Sequence, residues 1–223
     1  MKTVALMLAG SPPSDKLMTT LRQRSLDLHL GHVVPVQAVI AADGAGDYCL
    51  QADLIPDLLT GDLDSISPTG LQQMRERTLV KENPDQNSSD LAKGLEEAAA
   101  MGAEHVTLLG YCGGRTDHLL SILAAVGVND FPRSITLLDD DETIHHLRPG
   151  EYSFATPTAV TISLITFSRE GSRVTLRGTR YPADDLLLLP GTRGVSNLTV
   201  EQSVSVTVLS NDLFLVITEM DAE

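Results

Sequence analysis

The sequence predicts an α/β N-terminal domain with a mostly parallel, Rossmann-like sheet, followed by an all-β sandwich. In the first part of the chain, short apolar runs alternate with segments whose apolar residues recur at a helical period. After about residue 140 no helical period is visible, and residues 204–208 alternate valine with a hydroxyl-bearing residue, as a half-buried strand does. We therefore expect an α/β domain over residues 1–140 and a β-sandwich over residues 141–223.

Strands and helices are predicted in turn along the first domain. The predicted strands are short aliphatic runs at residues 4–9, 36–42, 58–60, 79–80, 106–109 and 135–138. The predicted helices cover residues 14–30, 68–77, 89–102 and 117–127. The third of these is rich in Leu, Ala, Glu and Lys, and Ser88 or Ser89 can cap its start. This alternation predicts a parallel sheet that is covered on both faces.

The second domain contains predicted strands at residues 158–167, 173–177, 198–209 and 213–218. Residues 210–212 are Ser-Asn-Asp, which favours a hairpin turn between the last two strands. His145 and His146 have no partner at a metal-ligand spacing, so we expect a surface pair.

Composition excludes several classes of protein. The 223 residues include 16 Lys+Arg and 30 Asp+Glu, a formal net charge of −14, which argues against nucleic-acid binding and against a polybasic membrane-surface protein. No apolar run approaches the roughly 20 residues of a membrane helix. Two widely separated cysteines predict free thiols in a reducing cytoplasm rather than a disulfide framework.

The negative charge is concentrated in residues 25–74. This stretch contains no Lys or Arg and seven aspartates, namely Asp27, Asp43, Asp47, Asp53, Asp57, Asp62 and Asp64. Such a cluster is either solvated surface or a cage for a cation. We expect Asp27, Asp47, Asp53 and Asp57 to be solvated.

Four polar clusters follow four of the predicted strands, at residues 42–47, 61–66, 83–90 and 110–118. Because the carboxyl ends of parallel strands lie at one edge of a sheet, these clusters should converge in space, where ligands of such sheets bind. Asp62 and Asp64 would project to the same side of an extended segment. Their mutual repulsion would be relieved by Mg²⁺, which prefers carboxylate oxygens. An acidic turn is an equally good reading of this pair alone, and Asp43 and Asp90 at neighbouring strand ends favour the metal.

Gly113-Gly114-Arg115 is a candidate phosphate-binding segment. Glycines let backbone N–H groups approach a phosphate, and Arg115 offers two parallel donors. Asp117 could orient Arg115 or take part at the metal. The alternative to a phosphate-binding role is a glycine-rich connecting loop with an ion pair on the surface. No P-loop and no GxGxxG motif is present. The residues alone therefore predict a magnesium-dependent enzyme that acts on a phosphorylated substrate.

The clusters resemble the thiamine pyrophosphokinase family, whose members carry A-D-G-G, G-D-x-D-S-I, D-Q-x-x-T-D and G-G-R-x-D-H in this order. The counterparts here are residues 42–44, 61–66, 85–90 and 113–118. Later, residues 178–181 are similar to the family's G-L-K-[WY], and residues 195–197 to its V-S-N. The resemblance covers nearly the whole chain. It departs at Ala45-Gly46-Asp47, where Asp47 adds a negative charge near the expected nucleotide.

The resemblance implies that thiamine attacks the β-phosphorus of ATP, giving thiamine diphosphate and AMP. The metal ligands it implies, for Mg²⁺, are Asp43, Asp62, Asp64 and Asp90. The ATP-binding residues it implies are Asp43, Gly44, Gln86, Gly113, Gly114 and Arg115. The thiamine-binding residues it implies are Gln86, Tyr181, Ser196 and Asn197. The catalytic residues it implies are Asp62, Asp64, Asp90, Arg115 and Asp117. The second domain would contribute to thiamine binding and to a homodimer with thiamine at the subunit interface.

Two alternatives remain open at this point. The same aspartates would serve a pyrophosphokinase that acts on a hydroxymethyl-pterin. A sensor could bind the nucleotide or thiamine without any reaction, although a sensor could dispense with some of the charged residues that are kept here.

Overall fold

The computed structural model of the chain describes residues 1–28, 32–131 and 134–218. It divides into two compact units. The first consists of Met1–Leu28 and Val33–Asp140, and the second contains His32 and the residues from Asp141 onward. Within the described ranges, every helix is too short or too polar to cross a membrane.

The first unit alternates strands and helices along most of its length. In chain order its elements are β1 (Thr3–Met7), α1 (Asp15–Arg22), β2 (Ser25–Asp27), β3 (Val33–Pro35), β4 (Ala38–Ala42), α2 (Ala45–Gln51), β5 (Leu58–Gly61), α3 (Pro68–Arg77), β6 (Leu79–Glu82), α4 (Asp90–Ala100), β7 (His105–Leu109), α5 (Thr116–Val128) and β8 (Ser134–Leu138).

Six of these strands form a parallel sheet in the order β8–β7–β1–β4–β5–β6. The central strand β1 is buried throughout, as a strand covered on both faces must be. The predicted parallel sheet is therefore confirmed. Its carboxyl edge carries the segments that follow Ala42, Gly61, Glu82 and Leu109, which are the four polar clusters of the sequence.

Serine side chains begin three of the helices. Ser14, Ser67 and Ser89 each accept a hydrogen bond from the backbone N–H three residues later, at the starts of α1, α3 and α4. The helix expected over residues 14–30 ends at Arg22, because Arg24 adopts a left-handed φ of 58° and turns the chain into β2. Residues 29–30 of that prediction lie outside the described part.

Helix α2 was not expected from the sequence, which predicts a loop after Ala42. Its segment contains Gly46, a poor helix former. Packing accounts for the glycine, since a Cβ there would lie 2.6 Å from Cδ1 of Ile66. Tertiary contact therefore outweighs local propensity in this helix.

The second unit consists of antiparallel strands. They are β9 (Glu142–Leu147), β10 (Gly150–Ala155), β11 (Thr161–Ile165), β12 (Ser172–Arg177), β13 (Ala183–Leu188), β14 (Asn197–Leu198), β15 (Ser203–Ser210) and β16 (Leu213–Thr218). Four of them pair in the order β14–β11–β16–β9, and the other four in the order β10–β15–β12–β13. Valines of β15 and aliphatic residues of β16 share one buried core, so the two layers form the predicted sandwich.

Two local predictions in this unit are wrong. Residues 210–212 do not close a hairpin, because β15 pairs with β10 and β12 whereas β16 pairs with β9 and β11. The turn instead carries the chain from one layer to the other. His146 is not on the surface: it lies in β9, is 5% exposed, and packs against the ring of Phe214. Strands β9, β10 and β13 also went unpredicted.

Candidate functional site

Asp43 is held rigidly at the end of β4. Its side chain is 3% exposed, its φ is 46°, and its backbone N–H donates to the carbonyl of Thr60 over 2.8 Å. One carboxylate oxygen accepts from the backbone N–H of Ser65 over 3.2 Å. Gly61 makes this approach possible, because it has a φ of 137° and its added Cβ would lie 3.0 Å from that of Asp43. The carboxylate is therefore fixed before any ligand arrives.

Asp62 and Asp64 converge for a different reason from the one the sequence suggested. The segment is not extended, because Leu63 between them has a left-handed φ of 62°. The side chain of Leu63 is buried in the hydrophobic core, and this anchors the turn. A buried leucine therefore leaves the two carboxylates on its flanks directed away from the core.

Carboxylate oxygens of Asp43, Asp62 and Asp64 all lie within 4.8 Å of one another. In the described ranges, none of the three forms an ion pair with a basic side chain. Three converging carboxylates repel one another, and a divalent cation with oxygen ligands relieves that repulsion. This donor set therefore fits Mg²⁺ or a similar hard cation. We call Asp43, Asp62, Asp64 and the adjacent Asp90 the aspartate cluster.

Asp90 stands outside that group of three, at the first position of α4. Burial raises the pKa of its carboxyl above the ordinary 3.8, and the negative charges of Asp43, Asp62 and Asp64 add to this effect. The positive charge of Lys93 opposes it. Asp90 is thus close enough to be affected by the charges of the other three carboxylates, but it is not one of the three whose oxygens converge within 4.8 Å.

Polar neighbours hold two carboxylates of the cluster in place. The side-chain amide of Gln86 donates to Asp62 over 2.8 Å, and the hydroxyl of Ser65 donates to Asp64 over 2.8 Å. Gln86 thus lies at the site, as expected, while Ser65 was not among the predicted site residues although it belongs to the match over residues 61–66. The signal for Ser65 was its place directly after the paired aspartates.

The segment from Gly110 to Asp117, which we call the arginine loop, is tied to the loop after β1. The backbone N–H groups of Gly10 and Ser11 donate to the carbonyls of Gly110 and Cys112. Gly113 has a φ of 66°, and an added Cβ would overlap the Ser11 hydroxyl at 1.8 Å. Glycine is therefore required at position 113 by close approach, whereas Gly114, with a φ of 115°, faces open space.

Arg115 at the end of this loop is 73% exposed and pairs with Asp117. Its Nε donates over 3.1 Å to one carboxylate oxygen, and a terminal nitrogen donates over 2.5 Å to the other. These hydrogen bonds lower the pKa of Asp117. Asp117 therefore orients Arg115, and in this arrangement the guanidinium keeps donors free for an anion.

Other aspartates of the acidic stretch have structural partners, contrary to the expectation of plain solvation. Asp57 accepts from the backbone N–H of Val39 over 2.7 Å and pairs with Arg24. Asp47 accepts from the backbone and hydroxyl of Ser67, each over 2.8 Å, and so steadies the start of α3. The negative charge that Asp47 adds is therefore used in hydrogen bonds to Ser67.

The candidate thiamine residues of the second unit are brought together by Asn197. Its amide nitrogen donates to the carbonyl of Tyr181 over 2.9 Å, and its amide oxygen accepts from the Tyr181 N–H over 3.1 Å. Tyr181 itself is 69% exposed. Ser196 has a φ of 58°, and its N–H donates to the hydroxyl of Ser163 over 3.0 Å. Asn197 thus uses its side chain to position Tyr181.

Comparisons with known proteins identify the family of the chain. The family model described as "Thiamin pyrophosphokinase, catalytic domain" matches residues 34–133, and the one described as "Thiamin pyrophosphokinase, vitamin B1 binding domain" matches residues 145–212. A thiamine pyrophosphokinase of Bacillus subtilis is 30% identical over 169 residues, which are 71% of this chain and 76% of the relative. Thiamine pyrophosphokinase 3 of rice is 26% identical over 70% of this chain and 63% of its own length.

Solved structures with the same fold include two bacterial proteins. The crystal structure of thiamine pyrophosphokinase from Bacillus subtilis matches with a TM-score of 0.80 and 24% identity, over 98% of this chain and 100% of its own. A thiamin pyrophosphokinase family protein from Enterococcus faecalis matches with a TM-score of 0.79 and 23% identity, over 99% of this chain and 100% of its own. The fold of both units is thus that of these structures.

Proposed function

The chain belongs to the thiamine pyrophosphokinase family, and on that premise we propose that it transfers the diphosphate group of ATP to the hydroxyl of thiamine. The products are thiamine diphosphate and AMP. The observation that carries the proposal is the convergence of three carboxylates, from Asp43, Asp62 and Asp64, beside Asp90 at the carboxyl edge of a parallel sheet. This edge is where such sheets bind their ligands.

The aspartate cluster holds Mg²⁺ in this proposal, with Asp43, Asp62 and Asp64 as its protein ligands and Asp90 beside them. When bound, the metal neutralises phosphate charge and helps to align the β-phosphoryl group. Gln86, which already donates to Asp62, keeps that carboxylate in position and contributes to substrate placement. The role of the chain here is orientation and charge, because phosphoryl transfer depends little on covalent help from the protein.

The arginine loop supplies the cationic arm of the same site. Backbone N–H groups near Gly113 and Gly114 and the guanidinium of Arg115 bind phosphate oxygens, while Asp117 fixes the orientation of Arg115. Gly44, directly after Asp43, lies along the nucleotide. AMP leaves as the β-phosphorus bonds to the thiamine oxygen.

Thiamine binds through the second domain, over residues 141–223, while residues 1–140 form the catalytic domain. The exposed ring of Tyr181 offers a flat face to a cationic heterocycle. Ser196 and Asn197 complete this surface, with Asn197 acting mainly by holding Tyr181. We further propose a homodimer in which thiamine lies at the subunit interface.

We assign the protein to the cytoplasm because of its thiols. Neither Cys49 nor Cys112 forms a disulfide with a described residue, and the burial of Cys49 raises the pKa of its thiol to about 12. Such a thiol stays protonated and unreactive, as is common in a reducing compartment.

The direct test is incubation of the purified chain with ATP, Mg²⁺ and thiamine, with AMP and thiamine diphosphate measured by chromatography. We expect both products in equal amounts, and none when thiamine or Mg²⁺ is left out. AMP formed with a hydroxymethyl-pterin but not with thiamine would overturn the proposal, and so would tight nucleotide binding with no product from either alcohol.

A further inference from the structure

Lys93 is a buried basic residue next to the aspartate cluster that neither the composition nor the motifs single out. It lies on α4, one helical turn after Asp90, and only 2% of its surface is exposed. Lysine is almost never fully buried unless it is paired. Its burial therefore requires an explanation.

Within residues 1–28, 32–131 and 134–218, the Lys93 side chain has no hydrogen-bond acceptor and no carboxylate within ion-pair distance. Its positive charge does act on Asp90, but from beyond that distance. The ammonium at the tip of this buried side chain is not itself fully buried, because its Nζ keeps contact with solvent. A lysine with a buried stem and a solvent-contacting ammonium can offer its donors to a ligand.

The position of α4 shows where that acceptor would sit. Gly94, next to Lys93, packs so closely on Leu6 of β1 that an added Cβ would lie 2.5 Å from the leucine side chain. Leu6 pairs with Ile40, which pairs with Leu58 of β5, so all three side chains share one face of the sheet. This is the face that α4 covers.

Thr60 lies on that same face, two residues after Leu58 and two before Asp62. It is 1% exposed, and its hydroxyl has no hydrogen-bond partner in the part of the chain that the structure describes. Buried polar groups in folded proteins are nearly always paired. The side of the aspartate cluster that α4 covers therefore carries two donors with no acceptor among the described residues. One is the buried hydroxyl of Thr60, and the other is the solvent-contacting ammonium of Lys93.

We propose that Lys93 binds phosphoryl oxygens of the ATP diphosphate that is transferred, with the Thr60 hydroxyl as a second donor. This inference rests on the proposed function, and it adds a residue that touches the substrate. The bound nucleotide would then lie between the cation of Lys93 on α4 and the exposed cation of Arg115. The phosphate oxygens would supply the acceptors that the chain lacks.

The test is a titration of the Lys93→Met variant with the Mg²⁺ complex of α,β-methylene-ATP, whose α–β linkage cannot be cleaved. We expect binding to weaken by about 10- to 100-fold, the range for loss of a charge-assisted hydrogen bond. Affinity for AMP, which lacks the transferred phosphates, should change little. Thr60→Val, which removes the hydroxyl and keeps the shape, should weaken binding of the same analogue by a smaller factor.

Lys81→Met is the matched control. Lys81 pairs with Thr60 in the sheet register and so lies on the same face, but it is exposed and bridges to Glu97. Its loss removes an equal charge from the same face and should leave analogue binding unchanged. An equal loss of affinity in Lys81→Met and Lys93→Met would show a general charge effect and overturn the proposal.

Two further measurements separate a ligand role from a structural one. The melting temperature of nucleotide-free Lys93→Met should stay close to that of the parent, since the Lys93 side chain makes no hydrogen bond or ion pair within the described ranges and its ammonium contacts solvent. Mg²⁺ alone should bind the variant at least as tightly, because a neighbouring positive charge is gone. A lowered melting temperature with unchanged analogue binding would contradict the proposal.

If Lys93→Met fails to fold, Lys93→Gln takes its place in the same titrations, and failure of both variants to fold would make Lys93 structural and the proposal wrong. The assay with thiamine is read separately. Lys93-dependent analogue binding in a parent chain that releases no AMP with thiamine would refute the proposed function and leave this inference standing. Normal turnover of thiamine by a folded Lys93→Met variant would refute this inference and leave the proposed function standing.

Discussion

The aspartate cluster and the arginine loop lie at the same edge of one sheet but are built in opposite ways. Asp43 is buried and bonded through its backbone and side chain, and Leu63 anchors the turn that carries Asp62 and Asp64. Arg115 is largely exposed and pairs with Asp117, two residues away. The carboxylates are held close in spite of their repulsion, whereas the arginine is held by attraction.

This difference indicates which part of the site the fold has to support. Converging like charges raise the free energy of the folded chain, and only surrounding packing can keep them together. An exposed ion pair needs no such support and contributes little to stability. Substitutions in the two regions should therefore affect stability and activity in different ways.

The largest effect is expected from Asp62→Asn and Asp64→Asn. Each removes a metal ligand, so turnover should fall by about 10²- to 10³-fold or more. The metal-free protein should melt at the same or a higher temperature, because repulsion is reduced. Steady-state AMP release and calorimetry check both expectations. Near-normal turnover in either variant would mean that this turn is an acidic surface loop and not a metal site.

A smaller effect is expected at the arginine loop. Arg115→Met should lower kcat/KM for ATP by about 10- to 100-fold, the loss of a charge-assisted phosphate contact, and leave the melting temperature unchanged. Asp117→Asn should lower kcat/KM for ATP by a smaller factor, because Arg115 keeps its charge and loses only its orientation.

A double-mutant cycle decides the role of Asp117. If Asp117 acts through Arg115, the Arg115→Met/Asp117→Asn pair should have the kcat/KM of Arg115→Met alone. If the fold-losses of kcat/KM in the two single variants multiply in the double variant, Asp117 makes an independent contact, for example with the metal. The two regions would then not differ in the way described above.

The smallest expected effect is a dependence of Mg²⁺ binding on pH. The pKa shifts of the two regions are opposite in direction. The pKa of Asp90 is raised by burial and by its carboxylate neighbours, whereas the pKa of Asp117 is lowered by Arg115. A proton on Asp90 competes with a metal, so Mg²⁺ affinity should fall as the pH drops through the raised pKa, before it reaches the ordinary 3.8. Asp117 titrates below 3.8 and stays ionised through this window.

The raised pKa of Asp90 also predicts how this residue affects the stability of the metal-free protein. A raised pKa means that the native state holds this proton more tightly than the unfolded chain does, so ionised Asp90 destabilises the metal-free protein at neutral pH. Asp90→Asn should therefore raise the metal-free melting temperature near pH 7 and flatten the pH dependence of Mg²⁺ binding measured by calorimetry. An unchanged pH profile would remove Asp90 from the cluster.

The fold could be predicted well where local pattern and burial agree. The parallel sheet, helix α3 with its serine cap and proline, and strand β16 follow from periodicity and capping chemistry that act within a few residues. Helix α2 and the path of residues 210–212 could not be predicted in this way. Their structures depend on Ile66 packing and on sheet pairings that are remote in sequence.

The candidate site shows the same division. Asp43, Asp62, Asp64 and Asp90 stand out because strand ends of a parallel sheet meet at one edge, which is a rule of topology. The left-handed turn at Leu63 replaced the expected extended segment, since a buried leucine gains more from the core than it loses in backbone strain. Asp47 and Asp57 found partners that no local pattern shows.

The sequence by itself determined the two-part architecture, the carboxylates and glycines of the site, and the family to which they point, because these depend on residue type, order and period. Only the tertiary structure decided that three of the carboxylates converge, that Asn197 holds Tyr181, and that the side chains of Lys93 and Thr60 find no hydrogen-bond acceptor among the described residues. The physical reason is that convergence, burial and hydrogen-bond satisfaction depend on distances between segments far apart in the chain, and these distances exist only once the chain has packed.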